Sequence, residues 1–153
     1  MKRHRRPFRG NRRGTAAIEF AIACPTVLIM FGGLADFGLA LWDKTMLANA
    51  VAQGGYYAAV TGTSVSATTV KTLVQGASKL SSVSATVSGP ACYCITGSPL
   101  ALAAATCNST CTDTTTAGYF VQIRATYTYN SLLPFYSKLN NPTLVEQTIV
   151  RLK

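Results

Sequence analysis

From Thr15 to about Trp42 almost every position is apolar or small, and only Glu19 and Asp36 are charged. An apolar run of this length predicts a helix that crosses a membrane once. Glu19 and Asp36 lie about 26 Å apart on such a helix at 1.5 Å per residue. The hydrocarbon core of a bilayer is about 30 Å thick. A helix centred near Val27 and Leu28 therefore carries one carboxylate towards each membrane edge. A charge there costs much less than the roughly 2.5–3.5 kcal/mol of one at the bilayer centre. Trp42 falls where interfacial aromatic residues are common. Pro25 would break a helix in water, whereas membrane helices tolerate proline with a kink.

The helical spacing continues beyond the apolar run. Met46, Leu47, Ala50, Val51, Gly54, Tyr57 and Ala58 keep intervals of three and four, which predicts one helix from Thr15 to Val60 about 69 Å long. Pro25 and the Gly32-Gly33 pair are its candidate bends. Ala50, Gly54 and Ala58 form a ridge of small residues that permits close helix contact. The ridge suits either a neighbouring helix or this chain's own C-terminal part.

Thr61 to Ser66 holds turn-forming residues and reads as a linker. Val70, Leu73, Val74, Ala77 and Leu80 predict a short amphipathic helix over 69–80. Val83, Ala85 and Val87 alternate with polar residues, as in a half-buried strand. Residues 89–118 read as a long loop with four cysteines and two prolines. Val121, Ile123, Ala125, Tyr127 and Tyr129 predict the best strand, within 119–129. Leu132 to Asn141 reads as a turn region around Pro134, and 144–152 as a last strand. Helices followed by strands imply an α+β unit with a three-stranded antiparallel sheet. The chain divides into a basic leader (1–14), a membrane and extended helix (15–60), and an α+β head (61–153).

Charge sharpens this picture. The formal charge is +9, but Lys2, Arg3, Arg5, Arg6, Arg9, Arg12 and Arg13 supply half of the 14 Lys and Arg side chains. A basic block before an apolar run is the pattern of a cytoplasmic membrane flank. A nucleic-acid protein would instead spread its charge over a folded face, so no nucleic-acid partner is expected. The positive-inside rule places 1–14 in the cytoplasm and the head outside.

In an oxidising compartment, Cys92, Cys94, Cys107 and Cys111 are expected to form disulfides. Four cysteines allow three connectivities. A bridge between Cys92 and Cys94 would be strained, so both bridges are expected to cross the loop. Zinc is the rival reading, but Cys92-x-Cys94 falls outside the usual ligand spacing. Cys24, within the apolar run, reads as an apolar filler. No active site is visible. His4, the only histidine, lies in the leader, and no base stands near the many Ser and Thr hydroxyls. Neither catalysis nor a cofactor is expected.

Glu19 either reaches the cytoplasmic edge or awaits a cation in the membrane. A cut after Gly14 would create that cation, the ammonium of Thr15, on a neighbouring subunit. Gly14, four residues, then Glu19-Phe20 resembles the prepilin peptidase site of type IV pilins and pseudopilins. The segment Arg13-Gly14-Thr15-Ala16-Ala17-Ile18-Glu19-Phe20-Ala21, then Pro25, then Gly33-Leu34-Ala35-Asp36-Phe37-Gly38 is similar to the TadE-like family of tight-adherence pilus systems. The resemblance spans roughly 13–58. Phe20 departs from the tyrosine that Flp-type pilins tend to carry after the glutamate.

The resemblance implies a pilin-like pseudopilin or minor pilin of the bacterial inner membrane, with a periplasmic head, that either stays in the membrane or enters an extracellular pilus. Its partners would be a prepilin peptidase, other pilin subunits with their assembly platform, and membrane lipid. Gly14 and Thr15 would form the processing site, Glu19 and Phe20 would act in assembly, and Pro25 and Asp36 would belong to the membrane helix. Two rivals stand beside this reading. One is an unprocessed single-pass anchor bearing a binding domain. The other takes Arg5-Arg6-Pro7-Phe8 as a twin-arginine signal and Ala48-Asn49-Ala50 as a signal peptidase site, releasing 51–153 as a secreted domain.

Overall fold

The structure, a computed structural model, describes residues 12–97, 101–133 and 142–152. The leader to residue 11, with its twin-arginine pair, and the turn around Pro134 lie outside the described residues. Helix α1 spans Arg12–Thr61, 50 residues, which is about 75 Å at 1.5 Å per residue. Pro25 lies inside it without ending it. The helix stops at Thr61 because Gly62 takes a φ of +68°, the left-handed conformation common just past helix ends. A 3-10 turn, Gly62–Ser64, leads to α2, Ala67–Ala77.

The sheet has four strands: β1 Ser84–Thr96, β2 Ala101–Ala104, β3 Gly118–Thr128 and β4 Thr143–Arg151. Their order is β2-β1-β3-β4 and every neighbouring pair is antiparallel. The expected sheet had three strands, and the expected loop at 89–118 contains the fourth. Strand β1 runs through Gly89 and Pro90 instead of ending before them. Its register against β3 shifts between Ser88 and Ala91, and Gly89 has a φ of +99°. The Gly-Pro pair thus forms a bulge, where a missing N–H and an unusual φ do no harm. Beyond it, Tyr93 to Thr96 pair with Ala104 to Ala101 of β2.

One sheet face carries the core. Alternation along β3 turns Val121, Ile123 and Ala125 inward, all fully buried. They meet Leu47, Ala50, Val51 and Ala58 of α1 and Val70 and Val74 of α2. Each fully buried Val, Leu or Ile side chain contributes about 1.5–3 kcal/mol. The small-residue ridge of α1 therefore serves this chain's own head. A Cβ on Gly54 would lie 2.5 Å from Val74 Cγ2, so glycine sets the approach of α2. On the same helix, Gly55 lies under Thr148 and Val150 of β4.

Candidate functional site

The two halves of α1 have different surroundings. From Leu47 to Ala58 one face is buried in the head, whereas Ile18, Phe20, Ile22, Leu28, Met30, Phe31, Leu34, Phe37 and Trp42 are exposed. The helix is long and apolar enough to cross a membrane. Gly14, Thr15, Glu19 and Phe20 are exposed near its N-terminal end, and nothing would meet a Cβ on Gly14 within 4 Å. Glu19 makes no ion pair or hydrogen bond among the described residues.

Asp36 has partners of its own. The Tyr129 hydroxyl lies 2.9 Å from Asp36 Oδ1 and 3.1 Å from the Asp36 carbonyl oxygen. The Leu132 N–H donates to the same Oδ1 at 3.1 Å. One turn earlier, a Cβ on Gly32 would stand 2.7 Å from Leu133 Cδ1. The residues just past β3 are thus fastened to the apolar segment of α1 by a carboxylate and seated beside a bare stretch of backbone. An acid in an apolar helix calls for donors, and here the head supplies them.

Further up, Tyr127 lies beside Asp43, and Lys44 Nζ stands 3.7 Å from Glu146 Oε1. Such a partly exposed ion pair adds little stability. Together with the contact of Gly55 to Thr148, these pairings fix the direction of the strands. Strand β3 runs back along α1 towards the apolar end, and β4 returns. Burial first, then the bond to Asp36 and the charges of Asp36 and Asp43, together raise the Tyr129 hydroxyl to about 12. Burial and the Asp43 charge push Tyr127 up as well. Sequence reasoning singled out Asp36 but missed Tyr129 and Leu132 as its partners, and missed the place of Leu133 beside Gly32. The one available signal was Tyr129 itself, a hydroxyl-bearing aromatic at the end of an apolar alternation.

At the far end of the head, Cys92 pairs with Cys107 and Cys94 with Cys111, with Cα atoms 5.1 and 5.7 Å apart. Cys94, Cys111 and Ala117 form a small core separate from the main one. Asp113 closes the turn beside Cys111, accepting from the Thr115 hydroxyl at 2.6 Å and from its N–H at 3.2 Å. These bonds hold the Asp113 carboxyl below the usual carboxylate range. Among the described residues, no cluster of His, Cys, Asp and Glu is arranged to hold a metal ion. Cys24 is unpaired and half-buried.

A groove of about 670 Å³ runs between α1 and α2, lined by Asn49, Gln53, Tyr56, Val60 and Leu73 among others. A cut between Ala50 and Val51 would fall inside the last quarter of α1. It would strip the buried Leu47 and Ala50 from the head core.

These features define a class: an α+β head built directly on the second half of a long, apolar N-terminal helix. Residues 14–55 match the family described as TadE-like protein. The match runs from the glycine of the expected processing site to Gly55 beneath β4, so it covers the exposed apolar segment and the first part of the core helix. Comparison with curated proteins and with solved structures returns no match.

Proposed function

We propose that this chain is a non-enzymatic pseudopilin or minor pilin of a tight-adherence pilus, made as a single-pass inner-membrane precursor and cut after Gly14. The reading is carried by the TadE-like match over residues 14–55, which begins at that glycine. Two further features support it: an exposed Gly14-Thr15 pair, and a Glu19 without a partner among the described residues. The basic leader stays in the cytoplasm and the disulfide-bonded head lies in the periplasm. Cleavage gives Thr15 a free ammonium. When subunits bundle, the amine of one neutralises Glu19 of the next, which removes the cost of a lone carboxylate in lipid. Phe20 lies beside that contact, and Pro25 and Asp36 belong to the same helix. The partners are the peptidase, other pilin subunits with their platform, and lipid.

Intact mass of the mature chain tests this. Processing predicts a chain beginning at Thr15, a plain anchor one beginning at Met1 or Lys2, and a secreted domain one beginning at Val51. Gly14→Ala should leave the leader attached, and normal trimming of that variant would refute the peptidase step. Glu19→Val should still insert into the membrane but yield no pilus.

A further inference from the structure

We propose that residues 131–133, just past β3, form a second membrane contact, in which Leu132 and Leu133 enter the outer leaflet alongside α1. The inference rests on α1 crossing the bilayer and adds to it the attitude of the head. Exposed apolar side chains run along α1 from Ile18 to Trp42, about 36 Å of helix. A hydrocarbon slab about 30 Å thick has little freedom along that belt. With one face at Ile18 it reaches past Phe37, and with the other at Trp42 it starts near Ile22. In both limits Gly32 and Asp36 lie inside it. Residues 131–133 are held at that level, since Leu132 bonds to Asp36 and Leu133 rests on Gly32. Leu132, a large aliphatic side chain, is 72% exposed in the isolated chain.

Five polar groups around these leucines are paired within the chain, and the exposed Asn130 precedes them. Irregular backbone is tolerated at membrane depth only where its hydrogen bonds are made internally. The Leu132 N–H goes to Asp36, and the Leu133 N–H goes to Ser131 Oγ at 3.2 Å. The Ser131 hydroxyl donates to the Leu133 carbonyl at 3.2 Å. The Tyr129 hydroxyl goes to Asp36, and its N–H to the Pro142 carbonyl at 3.1 Å. Asp36 thus lets residues 131–133 reach into lipid with these donors satisfied, and Tyr129 and Leu132 in turn cover the carboxylate.

The test uses the full chain with Cys24→Ser and its disulfides intact, reconstituted at low density in vesicles whose lipids carry bromine on the acyl chains. A small environment-sensitive fluorophore is attached in turn at F31C, L132C and T63C. Leu132 is exposed, so a label there displaces no packed side chain. The proposal expects bromine to quench the Leu132 label within about two-fold of the Phe31 label, because both sit at hydrocarbon depth, and to leave the Thr63 label bright. A bright Leu132 label open to aqueous iodide, with Phe31 still quenched, would overturn the proposal and spare the anchor. A bright Leu132 label closed to iodide would mean that another polypeptide covers Leu132, which also overturns it. An unquenched Phe31 label would remove the membrane-crossing helix, and the proposal with it.

Discussion

The Tyr129 hydroxyl donates to the Asp36 carboxylate across 93 residues of sequence. It ties the end of the best strand to an acid that otherwise interrupts an apolar helix. The head is therefore fastened to α1 by apolar packing from Leu47 to Ala58, by the pairs at Asp43 and Lys44, and by this polar contact below them.

Removing the hydroxyl isolates the polar contact. Tyr129→Phe keeps the buried ring and deletes one donor, leaving Asp36 with the Leu132 N–H and the Ser131 side chain. The expected loss is on the order of 1 kcal/mol, read by urea unfolding of the full chain in detergent. Asp36→Ala should also destabilise, whereas Asp36→Asn, which keeps an acceptor oxygen, should do so less. Equal stability of all three variants and the wild type would show that the contact does not hold the head.

The same hydroxyl gives a pH signature. Its folded pKa is about 12, against an ordinary value of 10.0. A raised folded value favours the neutral form in the native state. That stabilisation is fully present below pH 10 and is lost as pH rises through 12. Wild-type stability should fall across this window more steeply than that of Tyr129→Phe. Parallel curves would contradict the assignment.

Two glycine substitutions should have opposite signs. Alanine at Gly54 places a methyl 2.5 Å from Val74 Cγ2, and overpacking of this kind costs about 1–3 kcal/mol. At Gly76 in α2 nothing lies within 4 Å of the new Cβ, so alanine should stabilise by about 0.5–1 kcal/mol through helix propensity. Thermal melts of the two variants decide the matter. A stabilised Gly54→Ala would show that α2 does not need the close approach.

The disulfides should act locally. Cys92–Cys107 closes a separation of 15 residues, worth about 3 kcal/mol in the chain-entropy account. The small core built on the other bridge, Cys94, Cys111 and Ala117, is separate from the one holding Val121 and Ile123. Reduction under native conditions should speed amide exchange over residues 101–117 and leave the centre of β3 protected. Loss of protection throughout would show that the bridges hold the main core as well.

Much of this architecture was legible locally. The apolar run and the three-four spacing announced α1, and Val121, Ile123 and Ala125 announced β3, because each signal lies within one element. The second half of β1 was not legible. Gly89 and Pro90 are strong loop signals, and only pairing to β3 and β2 turns them into a bulge. Strand β2 has a single large apolar residue, Leu102, so its identity comes from its neighbour. The Ala50-Gly54-Ala58 spacing announced a close contact but not its partner, which is set by the tertiary fold. Asp36 stood out as an acid in an apolar helix, but nothing near it in sequence pointed to Tyr129. The roles of Gly14, Thr15 and Glu19 belong to encounters with other molecules, which a single chain does not display.

Because α1 is both the apolar rod and the spine of the head, no slack separates the two. Drawing the helix outward by one turn, about 5.4 Å, must lift the sheet by the same distance. It must also pull Leu132 through whatever medium surrounds it. A force applied at either end therefore arrives at the other undiminished, as along a crankshaft rather than a tether.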